Sequence, residues 1–291
     1  MFRDINSVAI IGASPKDGKA GNIILKNFIR RFKGKIFAVN PKYKEILGVP
    51  CFPSIRNIPE DIDLVVIAIP AEKVPAVIKE ASEKRVKYAI IISAGFSEAG
   101  RKDLEMQILE YKGYMKIVGP NGLGVYDPYS GIDTFFVEES RVPRPPKGNI
   151  AILSQSGAIA LALMEWLAFH NIGVSTIISY GNKVDLDEVD FLRMLKYDER
   201  TKYVFMYLEG LKSRRGKKFI KIAKEIYNND KRIIALKAGK SRRGKIAVSS
   251  HTASMAGEYE VYRFAFKQAR IIEAKNMEEM LIYLKTLSYF I

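Results

Sequence analysis

The chain has 291 residues, with 47 Lys and Arg against 32 Asp and Glu, a formal charge of +15. That length suggests two domains, each large enough for its own core. An apolar share of 48% with 27% charged residues excludes wholesale disorder, and the lone cysteine, Cys51, excludes an internal disulfide framework and a cysteine-built zinc site. No apolar run reaches the ~18 residues that span a bilayer. The N-terminus runs straight into a strand pattern with no secretory leader, which with the scarce cysteine predicts a cytoplasmic protein and no membrane partner. The basic excess admits nucleic acid, an acidic partner or an anionic ligand. Nucleic acid is not expected, because neither a helix-turn-helix signal nor an aromatic-rich reading surface accompanies the charge. No metal site is expected either.

Residues 7–11 (SVAII) read as a buried strand, followed by a loop over 12–22. A helix over 23–32 follows, with Ile24, Phe28 and Phe32 on one face. A second strand over 36–39 ends at Asn40-Pro41-Lys42, and a third over 64–69 ends at Pro70. A helix over 71–85 carries Val74, Val77, Ile78 and Ala81 on one face. A strand over 88–92 ends at Ser93-Ala94-Gly95. After a helix over 102–112, a strand over 116–118 ends at Gly119-Pro120-Asn121-Gly122. Continuous apolar strands between helices predict a parallel sheet covered on both faces.

Pro143, Pro145 and Pro146 mark 141–149 as a linker between domains over 1–140 and 150–291. The second half repeats the style. A strand over 150–153 leads through Ser154-Gln155-Ser156-Gly157 into a helix over 158–170. A strand over 174–179 ends at Tyr180-Gly181-Asn182, ahead of a helix over 187–196. A strand over 203–208 ends at Glu209-Gly210, ahead of a helix over 217–227. A strand over 232–236 precedes a loop over 237–252. Helices over 258–268 and 277–287 flank a short strand at Ile271-Ile272. Both halves therefore read as doubly wound α/β sheets.

Ligands of open parallel sheets bind at the carboxyl ends of the strands. The first such loop, with Gly12, Ala13, Ser14 and Lys16, offers backbone N–H groups and a helix N-terminus to a pyrophosphate. Its glycines at 12, 18 and 21 do not match G-x-G-x-x-G, and the next strand ends without the acidic residue that binds an NAD ribose. Lys42 stands there instead and suits a phosphorylated ribose or a pyrophosphate. The alternative is a tight strand–helix turn with no ligand. Ser154, Gln155, Ser156 and Gly157 form either an anion site at a helix N-terminus or a plain serine cap. His251, surrounded by Ser249, Ser250 and Thr252, is either a nucleophile toward phosphorus or a surface histidine. His170, the other histidine, reads as a helix C-terminal residue.

Taken in order, these loops carry a resemblance. It runs from Ile10-Ile11-Gly12-Ala13-Ser14 through Val39-Asn40-Pro41-Lys42, Ile69-Pro70-Ala71, Ile92-Ser93-Ala94-Gly95-Phe96 and Gly119-Pro120-Asn121-Gly122. It continues through Leu153-Ser154-Gln155-Ser156-Gly157, Tyr180-Gly181-Asn182 and Glu209-Gly210 to Ser249-Ser250-His251-Thr252. Over nearly its whole length the chain resembles the nucleoside-diphosphate-forming acyl-CoA synthetases, the family of the succinyl-CoA synthetase α subunit and the ADP-forming acetyl-CoA synthetase α chain.

The resemblance implies an N-terminal Rossmann-like CoA-binding domain and a C-terminal flavodoxin-like ligase domain. It implies coenzyme A held by Gly12, Ala13, Ser14, Lys16, Lys42, Pro70, Ala71, Ser93, Ala94 and Asn121. Phosphate would sit at Ser154, Gln155, Ser156 and Gly157, and His251 would become a phosphohistidine with Glu209 accepting its other ring N–H. Acyl-CoA and phosphate would be the substrates. ADP or GDP, ATP and Mg2+ would belong to a separate ATP-grasp β subunit. Ala253 stands where the family often has glycine, beside a loop that must swing. Leu161 stands where succinate-type members carry tyrosine, which implies a small monocarboxylate or apolar acyl group. The resemblance implies the shorter α-subunit layout, with the ATP-grasp domain expected on another chain. Ala253 and this layout leave a second reading, a CoA-binding regulatory protein of the same fold without turnover. An NAD(P)-dependent dehydrogenase is disfavoured by the missing glycine fingerprint and acidic residue.

Overall fold

A computed structural model of the chain describes residues 2, 4–240 and 259–289. They fall into two units, one of residues 2–142 with 179–186, the other of residues 143–178 with those described from Asp187 onward.

The first unit contains β1 (Ser7–Ile11), α1 (Ala20–Arg31), β2 (Lys35–Val39), β3 (Glu45–Ile46), β4 (Val49–Phe52), β5 (Leu64–Ile67), α2 (Val74–Glu83), β6 (Tyr88–Ile91), α3 (Lys102–Tyr111) and β7 (Lys116–Val118). Its sheet has the order β3-β4-β2-β1-β5-β6-β7. β1 lies between β2 and β5 in parallel, with Val8 opposite both Ile36 and Leu64. Every residue of β1 and β5 is buried, because helices cover both faces; hence the unbroken apolar runs. A core cluster packs Val65, Ile67, Val74, Ile78, Leu104 and Ile108 together.

α1 starts at Ala20, earlier than its apolar spacing shows. The reason is Gly21: a Cβ there would stand 2.0 Å from the Gly12 carbonyl oxygen. This glycine admits a close approach inside a helix rather than ending one. The strand expected over 64–69 stops at Ile67, and a 3-10 turn over Ala71–Lys73 precedes α2. Pro75, in the first turn of α2, lacks the N–H that an earlier helix start would require. The small strands β3 and β4 escaped the sequence reading. So did the antiparallel hairpin of β8 (Gly124–Asp127) and β9 (Ile132–Asp133), because two to four residues carry no periodicity. The segment after this hairpin is tied to α1. Asn27 Nδ2 donates to the Phe135 carbonyl at 2.9 Å, and Arg30 and Arg31 both pair with Glu139.

The second unit contains β10 (Lys147–Ser154), α4 (Gly157–Phe169), β11 (Val174–Ser179), α5 (Glu188–Lys196), β12 (Tyr203–Leu208), α6 (Gly216–Asn228) and β13 (Arg232–Lys237). It ends with α7 (Tyr259–Gln268), β14 (Ile272–Ala274) and α8 (Met277–Ser288). The strands follow one another as β14-β13-β12-β10-β11, with parallel pairs on both sides of β12. β10 begins at Lys147, inside the proline-marked stretch. A Cβ on Gly148 would stand 2.3 Å from the Gly173 carbonyl carbon, and Val174 N donates to the Pro146 carbonyl at 2.8 Å. Two facing glycines thus let the backbones meet where the prolines suggested a free linker. β14 lies slightly beyond its expected place at Ile271-Ile272.

α5 opens with a capping box of Asp187 and Asp190. Arg215 reaches both carboxylates, at 2.6 and 2.5 Å. Burial pushes the Asp187 carboxyl up, but Arg215 outweighs it and holds this carboxyl below the ordinary range. Among the described residues no helix is long and apolar enough to cross a membrane. Nor does any cluster of His, Cys, Asp and Glu among them suit a metal ion.

Two stability predictions follow from this packing. Gly21→Ala should cost at least about 2 kcal/mol, because backbone must shift to admit the methyl. Gly216→Ala, at the start of α6 with nothing within 4 Å of its Cβ, should gain up to about 1 kcal/mol from helix propensity. Urea unfolding of both variants checks the contrast.

Asp63 offers a pH test. Its Oδ2 accepts N–H of Asn6 at 2.8 Å and of Ser7 at 3.2 Å, and its Oδ1 pairs with Lys87 at 2.8 Å. Burial pushes this carboxyl up, but Lys87 and the Asn6 N–H hold it below the usual carboxylate range. Its stabilisation is therefore complete above the unfolded-state pKa and is lost as pH falls through the folded one. Asp63→Asn should lower the melting temperature at neutral pH, with the deficit shrinking below about pH 4. Melts followed by circular dichroism across that range measure it.

Candidate functional site

The carboxyl edge of the first sheet gathers the predicted ligand loops. Gly12 follows β1 at φ +89°, and a Cβ there would lie 2.4 Å from the Ala68 carbonyl oxygen. Only glycine meets both conditions. The loop beyond it is fixed by short-range bonds. Ser14 Oγ accepts Lys16 N–H at 3.1 Å, and the Ser14 carbonyl accepts Asn22 Nδ2 at 3.0 Å. Asn40, at the end of β2, donates from Nδ2 to the Ala13 carbonyl at 2.8 Å and accepts Lys42 N–H on Oδ1 at 3.0 Å. One amide side chain thus ties the loop of Gly12, Ala13 and Ser14 to the loop of Lys42. Ala13 is buried, while Lys16 and Lys42 are exposed.

Ser93 does the same work for β5, β6 and β7. Its Oγ donates to the Ile69 carbonyl at 2.5 Å and accepts Ile69 N–H at 3.2 Å. Its carbonyl accepts Asn121 N–H at 2.9 Å. Pro70 and Ala94 are exposed on these joined loops, and Ala71 is buried beneath them. Asn121 takes a left-handed conformation, φ +59°, and its Nδ2 donates to Asn182 Oδ1 at 3.1 Å.

Behind Asn121 stands a group that the sequence reading did not assign. Asn182 Nδ2 lies within 3.1 Å of Ser97 Oγ, 2.5 Å of Glu98 Oε2 and 2.9 Å of Glu105 Oε1. Glu98 Oε1 also accepts N–H of Gly95 at 2.6 Å and of Phe96 at 3.1 Å. Burial pushes the Glu98 carboxyl up, yet Asn182 and these N–H groups hold it below the ordinary glutamate range. Asn182 had one sequence signal, its place after a strand in Tyr180-Gly181-Asn182. Glu98 and Glu105 had none, because they meet Asn182 across 84 and 77 residues.

In the second unit Ser154 ends β10, and its Oγ donates to the Ser156 carbonyl at 2.7 Å and accepts Ser156 N–H at 3.2 Å. Ser156 caps α4 through Ile159 N–H at 3.4 Å, and Gly157 opens that helix. Gln155 Oε1 accepts N–H of Gly210, at 2.9 Å, and of Glu209. Gln155 therefore fastens the β12 end to the β10 end. Lys237 Nζ, itself buried, donates to the Glu209 carbonyl at 2.7 Å. The Glu209 side chain is only 4% exposed. Its Oε2 has no hydrogen-bond partner among the described residues. A buried carboxylate oxygen without a donor is costly, and it marks a place for an N–H or a cation. His251 and its neighbours 249–253 lie outside the described residues, so the donor expected for this oxygen does too. His170 ends α4 with Nδ1 donating to the Trp166 carbonyl at 2.9 Å and its ring 4.1 Å from the indole, a structural role.

Comparisons with known proteins follow this division. Residues 6–128 match the family described as "CoA binding domain", and 147–287 the "Succinyl-CoA ligase like flavodoxin domain". The chain is 48% identical over 277 residues to "Acetate--CoA ligase [ADP-forming] I" of Archaeoglobus fulgidus, covering 94% of this chain and 39% of that protein. It is 41% identical to "Acetate--CoA ligase [ADP-forming] I subunit alpha" of Pyrococcus furiosus, covering 97% and 62%. The solved dinucleotide-forming acetyl-coenzyme A synthetase 1 of Ca. Korarchaeum cryptofilum, in complex with phosphate and ADP, superposes with a TM-score of 0.91 at 38% identity. That match covers 97% of this chain and 61% of that one. The chain thus spans less than two thirds of the length of each of these relatives. Together the ordered loops, the two α/β units and these matches show that the chain belongs to the nucleoside-diphosphate-forming acyl-CoA synthetase family.

Proposed function

We propose that this chain is the α part of an ADP- or GDP-forming acyl-CoA synthetase, with domains over 1–140 and 150–291 joined at 141–149. It converts acyl-CoA, phosphate and a nucleoside diphosphate to a carboxylic acid, CoA and a nucleoside triphosphate. The row of stitched loops at the carboxyl edge of β2, β1, β5, β6 and β7 carries this reading. It supplies N–H groups, a helix N-terminus and lysines to a phosphate-rich ligand, and uncharged groups to the rest. Lys16 and Lys42 stand at the β1 and β2 end, and Ser93 and Asn121 at the β6 and β7 end. Coenzyme A, polyanionic at one end and neutral at the other, suits that gradient. The names of the relatives favour ADP and acetate. Leu161, half-buried on α4, agrees with a small or apolar acyl group.

In this scheme an oxygen of inorganic phosphate attacks the thioester carbonyl carbon. The carbon–sulfur bond breaks, CoA leaves as its thiolate, and an acyl phosphate remains. A ring nitrogen of His251 then attacks phosphorus, and the carboxylate departs with the bridging oxygen. The phosphoryl group passes from His251 to the nucleoside diphosphate on a separate ATP-grasp β subunit, where Mg2+ also binds. The α4 N-terminus, with Ser154, Ser156 and Gly157, offsets the charge of the phosphate oxygens. Gln155 holds the Glu209 turn in place. Glu209 Oε2, buried and without a partner among the described residues, is suited to accept the second ring N–H of His251 and to steady the phosphorylated ring.

Calorimetry should show salt-tolerant 1:1 binding of CoA and no binding of NAD; loss of the signal in high salt would reduce it to bare charge. With acetyl-CoA, labelled phosphate and an ATP-grasp partner, His251→Asn should keep CoA binding and lose all phosphoryl transfer. Full activity in that variant would exclude the scheme. CoA binding by the unaltered chain without any phosphorylation of His251 would favour the regulatory reading. Glu209→Gln should cut the yield of phosphohistidine about ten-fold. An unchanged yield removes Glu209 from the mechanism.

A further inference from the structure

The side-chain amide of Asn121 ends a run of hydrogen bonds whose direction is set at the far end. Glu98 and Glu105 present carboxylate oxygens, which only accept. Asn182 Nδ2 is 2.5 Å from Glu98 Oε2 and 2.9 Å from Glu105 Oε1. Ser97 Oγ, also within reach of that nitrogen, spends its own proton on Glu105 Oε1 at 2.7 Å. The reversed amide would set the Asn182 oxygen against two carboxylates. Asn182 therefore turns Oδ1 toward Asn121, and Asn121 must meet this acceptor with its nitrogen, at 3.1 Å. The end of the Asn121 amide left for a ligand is its oxygen.

The carboxylates are held in turn. Glu98 Oε1 takes N–H of Gly95 and Phe96, and Glu105 Oε1 takes N–H of Ser97 at 3.3 Å. The loop that carries Ser93 and Ala94 and the amide of Asn121 are thus fixed by one acidic pair. Among the described residues no lysine takes part in this cluster, whereas Lys16 and Lys42 belong to the opposite end of the edge. A ligand whose phosphates sit at the lysines brings its uncharged arm here.

We propose that Glu98 and Glu105 are positioning residues. Acting through Asn182, they hold Asn121 with its oxygen toward the ligand, so that this end of the site reads an N–H or S–H donor on the pantetheine arm. The inference rests on the CoA reading given above.

Glu98→Gln preserves size and keeps an oxygen for Gly95 and Phe96, but sets a nitrogen against Asn182 Nδ2. Donor then faces donor, while Glu105 Oε1 still opposes reversal of the Asn182 amide. Asn182 is mispaired in either orientation, and its hold on the Asn121 amide is lost. Asn182→Ser removes the relay by a different route and leaves the acidic pair in place. The full chain and both variants are titrated by calorimetry with CoA and with adenosine 3′,5′-bisphosphate, which lacks the pantetheine arm. Each variant should weaken CoA about ten-fold, the cost of one mispaired hydrogen bond, and the bisphosphate less than about two-fold. A merely structural role would weaken both ligands alike, and that result overturns the proposal. Unchanged CoA affinity in variants of a chain that binds CoA overturns it too, and leaves the CoA reading standing. No CoA binding by the unaltered chain overturns the CoA reading and the proposal with it.

Discussion

The turn after β1 is governed by one steric fact: the Gly12 carbonyl occupies the space that a side chain at residue 21 would need. β1 is the strand from which the first sheet extends both ways, to β2 and to β5. Its turn must double back over the end of β5 while the helix that follows starts close against the sheet. A glycine at 12 solves the first demand and a glycine at 21 the second. With the chain held that near, the amides of Asn22 and Asn40 reach the carbonyls of Ser14 and Ala13. The loops of β1 and β2 become one surface as a result.

The edge is built on a division of charge. Lysines gather on the β1 and β2 loops, and carboxylates stand behind the β6 and β7 loops. Each carboxylate is surrounded by N–H and O–H donors, which is why Glu98 stays ionised despite its burial. A net charge of +15 alone points to several kinds of polyanion. Its distribution along a sheet edge is more selective, because it favours a ligand charged at one end over a uniform polyanion.

The second unit carries a different tension. Ser154 and Ser156 bond to one another and to the first turn of α4, while Gln155 bonds to the neighbouring backbone, so the α4 N-terminus is tied by its own side chains. Glu209 is drawn into the same cluster by Gln155 and Lys237 through its backbone, while one carboxylate oxygen stays without a donor among the described residues. Burying such a group opposes folding unless a further contact offsets it.

Much of this was legible in the amino-acid order alone. Apolar runs ending in Gly, Pro, Ser and Asn marked the parallel strands and their loops, because burial on both faces and turn geometry are local demands on residue type. The loops' order also carried the family resemblance. Small strands such as β3 and β9 were not legible, since two residues hold no period. The start of β10 within the proline stretch was hidden as well, because it depends on Gly148 meeting Gly173. The acidic pair behind Asn121 was beyond the sequence for the same reason. A hydrogen bond between residues 84 apart is decided by where the folded backbone brings two side chains, and no spacing along the chain records that distance.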